Sequence, residues 1–99
     1  MFIQGFLDRV LKEDLSYGSI KDEMEARFYD GKQGYNCVFT GERARQFAKF
    51  IEDHAGEKLL LDGKFTSKQE PFDGGVVVRS IFMVKAMLKP DGTPIEETN

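Results

Sequence analysis

The spacing of apolar residues in this chain changes once and then changes back. Before Thr40 they recur at alternate positions. After Gly41 they fall at Ala44, Phe47, Ala48, Ile51 and Ala55, the i, i+3, i+4 spacing of a helix. Beyond Gly56 the two-residue period returns. Such a chain is a set of strands interrupted by one helix. Glu42, Arg43, Arg45, Lys49, Glu52 and Asp53 take the opposite helix face, which makes the helix amphipathic. Thr40 is placed to cap its N-terminus, and Gly56 to stop it in the left-handed conformation. The helix runs for about 13–14 residues, near the ordinary mean.

The strands on either side differ in clarity. In Glu23–Tyr29, Met24, Ala26 and Phe28 face one side, and Glu23, Glu25, Arg27 and Tyr29 the other. Asp30-Gly31-Lys32-Gln33-Gly34 reads as a tight loop, and Tyr35–Thr40 as the return strand with Tyr35, Cys37 and Phe39 on one face. At the N-terminus the sets Phe2/Phe6/Val10 and Ile3/Leu7/Leu11 fit a long strand or a short buried helix, and Gly5 favours a strand that bends or is closely approached. Asp14 to Gly18 reads as a turn or loop. After the helix, Lys58–Thr66 places Leu59, Leu61 and Phe65 together, with Gly63 as a bend or bulge. Gln69–Gly75 reads as a loop whose glycine pair allows a flexible tip. Val76–Leu88 is a long last strand with Val76, Val78, Phe82, Val84, Ala86 and Leu88 in one row.

Composition narrows the class. The 99 residues suffice for one domain, residues 1–90, and 40% hydrophobic with 31% charged residues is the make-up of a globule. The net charge of −3 is unevenly placed: all 14 basic residues and 14 of the 17 acidic ones lie within residues 1–90. The body is therefore neutral. Asp91–Asn99 adds three acids with Pro90, Pro94 and Gly92, which predicts a short, disordered acidic tail. No apolar run reaches membrane-spanning length, and Met1–Phe6 lacks the features of a signal peptide. One cysteine forms no internal disulfide or zinc site, so a reducing cytoplasm is expected.

Strand–strand–strand–helix–strand–strand is the order of an all-β OB-fold, a five-stranded Greek-key barrel with its helix between strands 3 and 4. Residues 35–88 also resemble the second half of the bacterial single-stranded DNA-binding proteins. Cys37-Val38-Phe39-Thr40-Gly41-Glu42-Arg43-Ala44 is similar to that family's third strand and its helix start. Gly56-Glu57-Lys58-Leu59-Leu60-Leu61-Asp62-Gly63-Lys64-Phe65 is similar to its fourth strand, and Val76–Leu88 to its closing strand. The same rhythm of glycines, helix and strand occurs in primosomal OB proteins. The chain departs from the family in lacking an Asn-rich opening motif, any Trp and an acidic tip ending in Phe, which points to a plasmid, phage or mobile-element relative.

That resemblance implies a ligand face on the outside of strands two and three, flanked by the loops between strands one and two and strands four and five. Single-strand binders combine cations for the backbone with rings for the bases. Arg27, Tyr29, Lys32, Asn36, Lys64, Lys68, Phe72 and Arg79 are the candidate binding residues, with Thr40 beside them. Arg27 and Tyr29 form the best pair; packing across the sheet is their ordinary alternative role. Glu23 and Glu25 share that face and would repel phosphates. Cys37 reads as inert packing, His54 as a residue at a helix end, and the Asp residues show no metal-loop spacing. No cofactor and no catalysis are expected.

Two readings follow. One is a non-catalytic single-stranded DNA-binding protein of replication, recombination or conjugation, partnered by replication proteins. The other is a protein-interaction or primosome-like accessory module. Either is expected to form a homodimer or homotetramer.

Overall fold

Alternating strands with one apolar face must bury that face, and a sheet of five can do so by rolling up on itself. The structure, a computed structural model, describes residues 1–16, 18, 20–54 and 56–95. Its elements are β1 (Phe2–Asp14), β2 (Glu23–Tyr29), β3 (Gly34–Thr40), α1 (Glu42–His54), β4 (Lys58–Phe72) and β5 (Gly75–Leu88). The strands close into a barrel in the order β1-β2-β3-β5-β4. Every pairing is antiparallel except the closing one between β3 and β5, which is parallel and rests on Cys37–Phe82 and Val38–Met83. This is the expected OB-fold.

The interior is filled by the faces that alternation assigns to it. Met24, Ala26 and Phe28 of β2 pack with Cys37 and Phe39 of β3, Leu59 and Leu61 of β4, and Phe82 and Val84 of β5. Helix α1 contributes Ala44 and Phe47 to this core. Phe47 stacks on Phe39 with ring centroids 4.0 Å apart, and Phe28 lies 5.8 Å from Phe47. Three such rings supply much of the buried apolar area in a domain this small.

Three local readings are corrected by the structure. The first helical hydrogen bonds, from Ala44 and Arg45 N–H, are accepted by the Gly41 carbonyl, so Gly41 rather than Thr40 is the capping residue. Gln69–Gly75 is not a loop. β4 and β5 stay paired out to Phe72–Gly75, and only Asp73 and Gly74 turn the chain. Both have positive φ, 49° and 79°, as a primed two-residue hairpin turn requires. In β5 the inward row does not continue to Ala86 and Leu88. Lys85 is an extra residue opposite the Asp62–Gly63 step, so Met87 becomes the buried residue instead. After β5, Lys89 N–H donates to the Thr93 carbonyl, Pro94 bridges to Leu88, and Ile95 packs on the core. Tyr17, Ala55 and the tail acids Glu96 and Glu97 lie outside the described residues.

Barrel closure depends on strands coming unusually close. Gly5 is buried, and a Cβ there would sit 2.7 Å from the Tyr29 carbonyl oxygen. At Gly63 a Cβ would collide with the Met83 carbonyl, which is backbone and cannot swing away. Gly63→Ala should therefore cost about 1–3 kcal/mol of stability. The loss should appear as a lower urea midpoint with an unchanged denaturant slope.

Candidate nucleic-acid interface

The outer face of β1, β2 and β3 is organised in cross-strand rows. Its register gives Phe6–Tyr29–Gly34, Arg9–Arg27–Asn36, Lys12–Glu25–Val38 and Asp14–Glu23–Thr40. The rows at the two ends of β2 differ in character.

At the start of β2 the charges compensate one another. Glu23 takes Lys12 at 2.5 Å and Lys68 at 3.8 Å. Glu25, only 4% exposed, takes the Arg79 guanidinium through both oxygens at 3.0 and 3.2 Å. Arg79 also reaches Glu70 at 2.7 Å. Charge-assisted bonds of this kind favour the ionised forms. The Lys12 ammonium holds the Glu23 carboxyl below its usual range, and Arg79 does the same to Glu70. In return, Glu25 and then Glu70 raise the pKa of Arg79. The Lys68–Arg79 step of the β4–β5 ribbon is thus fastened against β2.

At the end of β2 the face is open. Tyr29 is 49% exposed. Arg27 donates to Asn36 Oδ1 at 3.0 Å, and its guanidinium lies over Gly34, where any side chain would displace it. The flat approach to the sheet therefore needs the glycine. Phe6 is 45% exposed in the neighbouring row, with Lys58 Nζ 5.4 Å from its ring centroid.

The eight residues proposed from sequence are distributed unequally. Arg27, Tyr29 and Asn36 form one contiguous surface, with Lys32 exposed in the adjoining loop that Asp30 ties together through the Lys32 and Gln33 N–H groups. Lys68 and Arg79 reach the same face, but their charge is met by Glu23, Glu25 and Glu70. Lys64 pairs with Met83 farther round the barrel. Phe72, 68% exposed, stands beside the turn of the β4–β5 ribbon. Phe6 and Arg9 escape sequence reasoning because β1 carries an extra residue at Asp8 and another at Leu11, and each shifts the phase of alternation.

Asp22 also has no sequence signal beyond its position before a strand. Fully buried, it accepts from Ser16 N–H at 2.6 Å, Ser16 Oγ at 2.8 Å, Gly18 N–H at 3.3 Å and Arg45 Nη1 at 2.7 Å. The Ser16 N–H above all, with Arg45, holds its carboxyl far below the usual range. The loop after β1 is thereby pinned to α1. Burial, reinforced by Glu25, pushes the Cys37 thiol up to about 12, which leaves it protonated and unreactive. His54 bonds Glu57 at 2.5 Å and stacks on Phe50. Among the described residues no His, Cys, Asp or Glu cluster could hold a metal ion, and no helix is long and apolar enough to cross a membrane.

Among solved structures the chain is similar to Rim1, the mitochondrial single-stranded DNA-binding protein of S. cerevisiae, with a TM-score of 0.53 over 91% of this chain and 92% of that one. The two are 15% identical, so what they share is the fold. A scan against protein-family models gives no match, and a search of curated proteins gives none.

Asp22 makes a pH prediction. Its folded pKa lies below the ordinary 3.8, so its contribution is complete above that value and is lost as pH falls through the folded pKa. Asp22→Asn should lower the melting temperature at neutral pH. It should also flatten the fall in stability between about pH 4 and pH 2, measured by thermal denaturation across a pH series.

Proposed function

We propose that the chain is a non-catalytic single-stranded DNA-binding protein that acts in DNA replication, recombination or conjugation in the cytoplasm. The observation that carries this reading is the contiguous surface of Arg27, Asn36 and exposed Tyr29 on the outer sheet face of an OB-fold. A guanidinium held flat beside a half-exposed ring matches the two needs of single-strand binding, backbone charge and a stacking platform. Lys32 extends the positive surface, Lys64 adds a cation farther round the barrel, and Phe72 offers a second ring. Lys68 and Arg79 reach the ligand only by leaving their carboxylates. The neutral body is no obstacle, because Glu23 and Glu25, the acids of β2 on this face, are already ion-paired.

A second reading, a protein-interaction or primosome-like module, draws on the far face of the β4–β5 ribbon. Ser67, Gln69, Pro71, Val76, Val78 and Ser80 alternate there without a single charge, and Val76 and Val78 are 64% and 59% exposed. An uncharged β-branched surface suits protein contact. The same face supports assembly into a homodimer or tetramer, with replication proteins as further partners.

Fluorescence anisotropy with labelled poly-dT and duplex competitor tests the first reading. Binding should favour the single strand and weaken as salt rises. No binding at ~50 mM salt and micromolar protein would overturn it, since low salt is the most permissive condition. Arg27→Ala combined with Tyr29→Ala should weaken binding roughly tenfold or more, because one stacked base contributes about 1–3 kcal/mol. Val76→Lys with Val78→Lys should leave that affinity in place while shifting the mass measured by light scattering towards a monomer.

A further inference from the structure

Strand β1 turns one arginine to face another. From Phe6, whose row partner is Tyr29, strict alternation would bring Asp8 and then Val10 opposite β2. Instead Leu7 pairs with Phe28 and Arg9 with Arg27, because Asp8 is an extra residue. In this bulge Asp8 and Arg9 together oppose Arg27, which brings a second guanidinium into the row. Like charges directly opposed across a sheet are destabilising. Asp8 makes no ion pair with either arginine among the described residues, and the hydrogen bond of Arg27 goes to the neutral Asn36. The acids farther along the face, Glu23 and Glu25, are held by Lys12, Lys68 and Arg79. The register shift therefore sets two guanidiniums in one row, and among the described residues neither makes an ion pair.

We infer that Arg9 and Arg27 form a seat for one phosphate group. The inference rests on the single-strand reading for its natural ligand, a backbone phosphodiester, while the site itself is defined by phosphate chemistry. Two guanidiniums present planar donor forks to a tetrahedral anion with several acceptor oxygens, and such pairs are short and directional. Asn36 and Gly34 hold the Arg27 fork against the sheet. Tyr29 and Phe6 occupy the next row, so a phosphate on the arginines leaves the attached base beside a ring. The position of a β-bulge next to a binding surface, where it re-aims one side chain, has this effect.

Arg9→Asp is the decisive variant, since it turns the repulsive pair into an attractive one. At low salt its melting temperature should equal or exceed that of the natural chain. Its affinity for poly-dT should fall at least roughly tenfold, and its log–log salt slope should shrink by about 0.7, the share of one phosphate contact on a single strand. Arg9→Gln, which removes the positive charge without adding a negative one, should show the same loss of slope and guards against a folding defect in the first variant. Inorganic pyrophosphate, added at low ionic strength, should raise the melting temperature of the natural chain but not of Arg9→Asp. If poly-dT binds and both variants keep its affinity and slope, the seat is overturned while the single-strand reading stands. If poly-dT does not bind at all, that reading fails and pyrophosphate decides the seat: selective stabilisation of the natural chain supports it, and equal effects on both chains overturn it.

Discussion

A five-stranded sheet can close only if its strands bend sharply, and in this protein the bending is concentrated at a few positions. Gly63 lets β4 lie against the Met83 carbonyl, Lys85 is the extra residue beside it, and β1 accommodates two more extra residues. Closure itself rests on two residue pairs between β3 and β5. The hydrophobic interior cannot form without that curvature, because a flat sheet would leave one face of Phe28, Phe39 and Phe82 in water. Helix α1 then seals the barrel with Phe47 stacked on Phe39.

The same curvature decides which charges meet outside. The β4–β5 ribbon brings Lys68 and Arg79 onto Glu23 and Glu25, so acids that look repulsive in the sequence are neutralised in space. Ion pairs of this sort contribute modestly to stability when exposed, and their geometric effect is larger: they fix how the ribbon crosses β2. What remains open is the surface around Arg27, Asn36 and Tyr29, with Arg9 and Phe6 beside it. The face is thus divided into a compensated half and a cationic, aromatic half.

Much of the fold was legible because alternation is a strong signal wherever a strand is regular. β2 and β3 were read nearly to the residue, and α1 by its change of period. Alternation fails where a residue is inserted, since a bulge changes the phase without changing the composition. That is why Val10 was grouped with Phe6, why Arg9 was not seen on the binding face, and why Ala86 and Leu88 were placed in a row that Met87 fills. Asp73-Gly74 is obscured for a different reason: the Gly74-Gly75 pair suggests a flexible loop tip, although Asp-Gly alone suffices for a two-residue hairpin. Arg27, Tyr29 and Asn36 were legible as a group because β2 and β3 carry no bulge between them. Asp22 was not, because the three residues that donate to it come from a loop and a helix that periodicity does not bring together.

The buried thiol of Cys37 has a use of its own. It lies on an inward face, in one of the two residue pairs that close the barrel, with its pKa raised to about 12. A thiol in that position reacts with a maleimide or a disulfide reagent only when the barrel opens. Its rate of modification therefore registers transient opening of the barrel directly, below the threshold of global unfolding. The chain contains no other cysteine. It thus carries a built-in reporter of barrel opening, and a ligand that tightens the closed barrel would be recorded there as slower labelling without any dye on the binding face.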